Sequence, residues 1–302
     1  MSDFTSDFWG LYVGVITLVS IIACGVLLYS CSSRPAPGEQ ATTGHTWDDD
    51  LAEWNNPLPR WWMWLFYLTI VFGLVYLVLY PGLGRYPGVL GWTSTKEHAD
   101  EVAAAARRYG PLHAGYLQRD IASVSTDPAA RAIGQRLFLN YCSQCHGSDA
   151  GGSRGFPSLR DTDWLYGGDA AAIKTSIAEG RHGVMPPLGA ALGGDQDVKD
   201  VAHYVMKLAG RTHDELRAVR GAPKFGTVCA ACHAASGKGS VALGAPNLTD
   251  NVWLHGGSEA AIIETITKGR ISQMPSHKEF LDESKIHLLS AYVYGLSAAP
   301  AR

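Results

Sequence analysis

Two short motifs carry the chemistry of this 302-residue chain, Cys142-Ser143-Gln144-Cys145-His146 and Cys229-Ala230-Ala231-Cys232-His233. Two thiols three positions apart with a histidine directly after the second form the covalent haem-attachment layout. The thiols add across the haem vinyl groups, and the adjacent imidazole reaches the iron. A zinc site would need two more thiol or imidazole ligands per motif, and no further cysteines lie nearby. The expected cofactors are therefore two covalently bound haem c groups, held by Cys142, Cys145 and His146 and by Cys229, Cys232 and His233. For the sixth ligand the candidates are few: Met1, Met63, Met185, Met206 and Met274. Met206 suits a helical core pattern. Met185 and Met274 stand in Gly/Pro-bounded loops, each followed by a proline that stiffens the loop presenting the sulfur. A thioether is a soft ligand suited to haem iron, and Met/His ligation raises the potential. The iron ligands expected are His146, His233, Met185 and Met274. Pairing within each domain is the simple expectation, but the residues leave open which methionine serves which iron.

The elements that must position these groups come in two copies. The motifs lie 87 positions apart. Pro157-Ser158-Leu159 answers Pro246-Asn247-Leu248, Trp164-Leu165-Tyr166-Gly167-Gly168 answers Trp253-Leu254-His255-Gly256-Gly257, and Gly180-Arg181 with Met185-Pro186 answers Gly269-Arg270 with Met274-Pro275, all at an offset of 89. The chain has duplicated a domain. Gly134 with Phe138, and Gly221 with Phe225, precede the motifs on predicted helices whose small residue lets another helix cross closely. Tyr204-Val205 and Tyr292-Val293, in the last helix of each domain, are the candidate crossing partners. Together these resemble class I cytochrome c, whose first and last helices cross around a glycine and an aromatic. That resemblance implies that the Pro157 and Pro246 carbonyls accept the bond from the proximal imidazoles. Arg181 and Arg270 are candidates to pair haem propionates, and Trp164 and Trp253 to pack near the haem. Domains of about 85 residues are marginal on their own cores, so each apoprotein domain should fold poorly.

Upstream the composition changes. The chain is 46% hydrophobic and only 18% charged, below the ~25% charged usual for soluble proteins. Phe8–Ser33 and Trp61–Gly84 contain no Asp, Glu, Lys, Arg or His, and each is long enough to cross a hydrocarbon core as a helix. Trp61, Trp62 and Trp64 behind Arg60, with Tyr80 near the far end, form an interfacial aromatic arrangement. A cleaved signal peptide is disfavoured at the N-terminus, where Asp3 and Asp7 replace a basic region. Ile21-Ile22-Ala23-Cys24 resembles a lipoprotein cleavage site only faintly, and Cys24 and Cys31 read as ordinary membrane cysteines. Arg34 and Arg60 between the spans, against Arg85 and Lys96 after them, favour a cytoplasmic loop with Asp48, Asp49 and Asp50 as a solvated acidic patch. Net charge is −3, so nucleic acid is not an expected partner. The expected fold class is all-α: two N-terminal transmembrane helices followed by two class I cytochrome c-like domains. The divisions are 1–33 and 61–84 as spans, 34–60 as loop, 85–124 as connecting segment, and 125–212 and 213–302 as haem domains.

From about Asp50 onward the whole chain resembles one family. Trp54-Asn55-Asn56-Pro57-Leu58-Pro59-Arg60-Trp61-Trp62, running into Gly73–Gly84, is very similar to the dihaem membrane subunit III (CcoP or FixP) of cbb3-type cytochrome c oxidases. Gly91-Trp92-Thr93 and Gly180–Pro187 fit too, and the extra N-terminal span resembles the two-span variant. The resemblance implies an electron-input role in the bacterial inner membrane, with the haem domains on the periplasmic side. The chain would accept electrons from a donor cytochrome c and pass them to the monohaem subunit, and so to the oxygen-reducing, proton-pumping catalytic subunit. It also raises the possibility of axial ligands exchanged between the adjoining domains. No catalytic residue is expected on this chain: neither span contains a histidine, so no b-haem or copper centre is ligated there by imidazole. The chief alternative is a free-standing membrane-anchored dihaem shuttle. A dihaem peroxidase or haem ligand sensor would need an open iron position, whereas both repeats offer a methionine.

Overall fold

A computed structural model describes residues 6–32 and 42–297. Asp3, Arg34 and residues 298–302, used in the charge and boundary arguments above, lie outside the described residues. The chain divides into two compact units, residues 1–107 and 108–302.

In the first unit, α1 (Asp7–Cys31) is followed by a hairpin of β1 (Thr42–Trp47) and β2 (Leu51–Trp54), then α2 (Arg60–Leu79) and the start of α3 (Ser94–Leu117). Among the described residues, α1 and α2 are the two helices long and apolar enough to cross a membrane. Their side chains lie open, with Leu11 70% and Phe72 69% exposed, the pattern of helices whose solvent is lipid or another protein. α2 stops short of Gly84 because Pro81 and Gly82 follow. The chain then turns back to occupy the helix-end carbonyls: Val89 N–H bonds to Val78 O (2.9 Å) and Leu90 N–H to Leu79 O (3.0 Å). Gly84 is at φ +61, and a Cβ there would come within 2.4 Å of the Gly10 carbonyl oxygen. Asp7 and Arg85 form an ion pair beside this contact.

The second unit begins within α3 and continues through α4 (Ile121–Ser125), α5 (Pro128–Tyr141), α6 (Ser143–His146), α7 (Ala170–Glu179), β3 (Arg181–Met185), α8 (Gly189–Leu192) and α9 (Asp195–Leu208). The second copy follows as α10 (Glu215–Lys224), a π-helical turn (Phe225–Cys229), α11 (Ala230–His233), α12 (Glu259–Lys268), β4 (Arg270–Met274) and α13 (Glu283–Ser297). Helix starts are capped as the sequence requires. Asp127 accepts from Ala129 and Ala130 N–H with Pro128 in the first turn, Asp169 from Ala171 and Ala172, and Ser258 from Ala261.

The unit is mostly helical, with one element that an all-α reading does not contain. β3 and β4 pair antiparallel, Arg181 opposite Met274 and Met185 opposite Arg270. This ribbon joins the two repeats. The helix crossings are also made between repeats. α5 crosses α13: a Cβ at Gly134 would lie 2.6 Å from Tyr292 Cβ and 2.8 Å from the Leu288 carbonyl oxygen. Beside it, Phe138, fully buried, packs on Tyr292 with ring centroids 5.5 Å apart. α10 crosses α9, where a Cβ at Gly221 would come 2.1 Å from Asp200 O and Phe225 meets Tyr204 at 5.2 Å. The buried Asp200 carboxylate clamps this second crossing, accepting from Arg220 at 2.7 and 2.8 Å and from Arg217 at 3.2 Å. The Arg220 guanidinium holds the Asp200 carboxyl below the usual carboxylate range.

Candidate haem sites

Each attachment motif occupies a single helical turn. Cys142 ends α5, and α6 carries Cys145 and His146 on from it; in the second copy the π-helical turn ends at Cys229, and α11 carries Cys232 and His233. A single turn places both thiols and the imidazole beside one another, as attachment to one macrocycle requires. Cys145 and Cys232 are exposed while His146 and His233 are buried, 8% and 7% accessible.

One ring nitrogen of each histidine is already engaged. His146 Nδ1 donates to the Pro157 carbonyl at 2.9 Å, and His233 Nδ1 donates to the Pro246 carbonyl at 3.1 Å. A carbonyl can only accept, so Nδ1 carries the proton and Nε2 keeps its lone pair for a metal. Burial pushes both imidazoles below the ordinary histidine pKa, opposed by these carbonyl bonds, and His277 adds a smaller lowering at His146. Cys142 is pushed up to about 11 by burial and by neighbouring Cys145. A thiol held that firmly protonated suits an apolar haem cradle better than a thiolate metal site.

The methionines lie with the opposite copies. Met274 packs against the core of Phe138, Ile173, Ile177 and Leu289, together with Cys142 of the first motif and Leu159 and Trp164 of the first copy. Met185 packs against the core of Val201, Phe225, Cys229 and Ile266, with Leu248 and Trp253 of the second copy. Two glycines let the strands pass. A Cβ at Gly180 (φ +72) would lie 2.3 Å from the Met274 carbonyl oxygen, and one at Gly269 (φ +71) would lie 2.4 Å from that of Met185. The approach is repeated with pseudo-twofold regularity beyond each methionine: Leu188 N–H bonds to Ile266 O (2.9 Å), and its counterpart His277 N–H bonds to Ile177 O (3.2 Å).

The ribbon alternates, so Arg181 shares a face with Met274, and Arg270 with Met185. Arg181 donates from Nε to Ser176 Oγ (2.8 Å) and lies over the Tyr166 ring at 4.8 Å. Arg270 donates from Nε to Thr265 Oγ1 (3.0 Å), while its buried Nη2 makes no hydrogen bond. Its nearest acid is Glu264, with Oε2 at 3.7 Å, beyond hydrogen-bond distance, so this buried N–H is free to meet a haem carboxylate. The donor set, the free imidazole Nε2 atoms and this orphaned N–H together fit c-type haem.

One polar residue of the first site went unnoticed in the sequence. His277 is only 6% accessible, its Nδ1 is buried without a partner, and its ring packs on Phe280 at 5.3 Å. The signal that could have found it is the offset of 89, which pairs this histidine with Leu188.

The fold and these two motifs define a c-type cytochrome with two candidate membrane helices. The family described as "Cytochrome C oxidase, cbb3-type, subunit III" matches residues 129–205 and 217–293, and the N-terminal domain of cytochrome oxidase-cbb3, FixP, matches residues 39–87. The chain is 50% identical to the cbb3-type cytochrome c oxidase subunit CcoP of Rubrivivax gelatinosus over 98% of its length and 97% of that protein. It is 38% identical to CcoP of Cereibacter sphaeroides, covering 87% of this chain and 97% of the relative. To FixP of Bradyrhizobium diazoefficiens it is 41% identical, over 85% and 94%. The chain belongs to the CcoP/FixP family, subunit III of cbb3-type cytochrome c oxidases.

Proposed function

We propose that this chain is the electron-input subunit of its oxidase, holding two haem c groups whose methionine ligands are exchanged between the repeats. Cys142 and Cys145 hold the first haem, with His146 and Met274 on its iron. Cys229 and Cys232 hold the second, with His233 and Met185. The observation that carries this reading is the packing of each methionine into the core of the other repeat's attachment motif.

The bound haem supplies reversible one-electron exchange at iron. The protein's part is to set the potential and exclude water. Pro157 and Pro246 fix the tautomer and orientation of the proximal imidazoles, the thioethers favour ferrous iron, and the apolar cores around Phe138 and Phe225 keep the iron faces dry. Electrons enter from a donor cytochrome c and leave to the monohaem subunit and then the catalytic subunit, where oxygen is reduced and protons are pumped. This chain performs no bond chemistry of its own. α1 and α2 make it a multi-pass protein of the bacterial inner membrane, and haem attachment outside the cytoplasm puts the haem domains in the periplasm.

The test is potentiometric. Met185→His and Met274→His should each lower one haem potential while both haems stay covalently attached, because imidazole is the stronger donor to ferric iron. The sulfur-to-iron band expected near ~700 nm should lose about half its intensity in each. In a chain stripped of the first attachment site by Cys142→Ala with Cys145→Ala, Met185→His should move the remaining step and Met274→His should leave it. The reverse result would restore pairing within each repeat, and no movement in any variant would remove both methionines from the irons. Copurification with a large haem-copper subunit separates the oxidase role from a free-standing dihaem shuttle.

A further inference from the structure

The two haem sites are built largely from matching residues, but they differ at several places, Tyr166 against His255 among them, and one difference puts a polar side chain where its counterpart is apolar. Leu188, three residues after Met185, packs against the core of the second site. His277, three residues after Met274, takes the corresponding place at the first. It is as buried as a core residue, yet its Nδ1 has no hydrogen-bond partner. Its surroundings belong to the first site. Its own N–H bonds to Ile177, a member of that core. Ser276 Oγ donates to Ala178 O at 2.6 Å, and Phe280 packs on Tyr141 beside Cys142 at 5.8 Å.

A buried ring nitrogen needs a partner. On a c-type haem both vinyls are consumed by the thiols and the iron is assigned above to His146 and Met274, so the groups left that can accept a hydrogen bond are the propionate carboxylates. We propose that His277 is a positioning residue for the first haem, donating its Nδ1–H to a propionate and so raising that haem's potential. This rests on the haem assignment above. A donor at the carboxylate offsets its negative charge and makes the nearby iron easier to reduce. At the second haem Leu188 offers no such donor. The contact therefore raises the first haem's potential above what it would be with a leucine in that place.

The experiment uses the full haem-loaded chain in detergent. His277→Leu, which copies the second site, should lower one titration step about tenfold in its reduction equilibrium, equivalent to ~59 mV for one electron, and leave the other unmoved. The step that moves should be the one that moves in Met274→His, and not the one that moves in Met185→His. His277→Gln, which keeps an N–H donor, should recover most of the loss. Redox-difference infrared spectra should show a shifted propionate carboxylate band in His277→Leu alone, which a merely structural role would not produce. The band near ~700 nm should persist in both variants. Unchanged potentials and an unchanged carboxylate band with that band intact would overturn the proposal. Loss of the ~700 nm band in His277→Leu would overturn it equally, by making His277 an axial ligand or a prop of the pocket. Should the two methionine variants fail to move distinct steps, the ligand assignment fails instead, whatever the carboxylate band shows.

Discussion

At Ala234, directly after the second motif's histidine, the backbone stands at φ +61; its counterpart after the first motif is Gly147, at φ +78. The conformation aims the chain back over the imidazole, so that Gly239 N–H bonds to the His233 carbonyl at 2.9 Å as Gly152 N–H does to His146 at 2.8 Å. Only glycine adopts this region freely, and a non-glycine residue there costs on the order of 1–3 kcal/mol. Glycine gives back about 0.4–1 kcal/mol of unfolded-chain entropy, so Ala234→Gly should stabilise the second domain by about 1 kcal/mol. Denaturant unfolding followed through the haem absorbance will measure it; a loss of similar size would mean that the Ala234 methyl packs favourably enough to outweigh the strain. The two motifs were legible residue by residue, because attachment needs thiols and imidazole at fixed spacing on one turn. His277 was not. The repeat offset sets it against Leu188, but a lone histidine has no motif spacing of its own, and burial is what makes its orphaned Nδ1 conspicuous.

The helices were readable as elements because glycine–aromatic pairs and capping residues mark them locally. The ribbon was not, since Arg181–Met185 and Arg270–Met274 are five residues each and neither alternates cleanly between apolar and polar. Only their pairing with each other makes them strands. That pairing passes through Gly180 and Gly269, where the other repeat's methionine carbonyl occupies the place of a Cβ. Gly269→Ala should therefore push Met185 away and weaken the sulfur-to-iron band of the second haem, and Gly180→Ala should do the same to Met274 and the first. Both positions also have positive φ, so each change should destabilise by more than ~1 kcal/mol. Absorbance near ~700 nm and a chemical-unfolding midpoint will show it. An intact band in both variants would mean that the ribbon does not position the sulfurs.

At the scale of the whole molecule, duplication has made residues 108–302 one interlocked unit. The first motif's core is completed by α13 and Met274, and the second's by α9 and Met185. A chain stopped after residue 212 behind its spans would keep Cys142, Cys145 and His146 but lack both α13 and β4. It should yield little stable six-coordinate haem, because about 85 residues without their last helix cannot bury enough apolar surface to hold a fold. Low-spin spectra and protease resistance equal to those of the full chain would overturn this interlocking. What the sequence by itself determined is whatever depends on local order: haem attachment, two apolar stretches long enough to span, a duplication and the family. Such features are written in spacing and composition, which survive without any knowledge of the fold. The partners of α5, α10, Met185 and Met274 were decided by tertiary structure alone. Two near-identical repeats present near-identical surfaces, so pairing within or across them satisfies the same local pattern. The choice falls to the short connection from α9 to α10, which sets those helices against each other, and to the ribbon that carries each methionine past its own histidine.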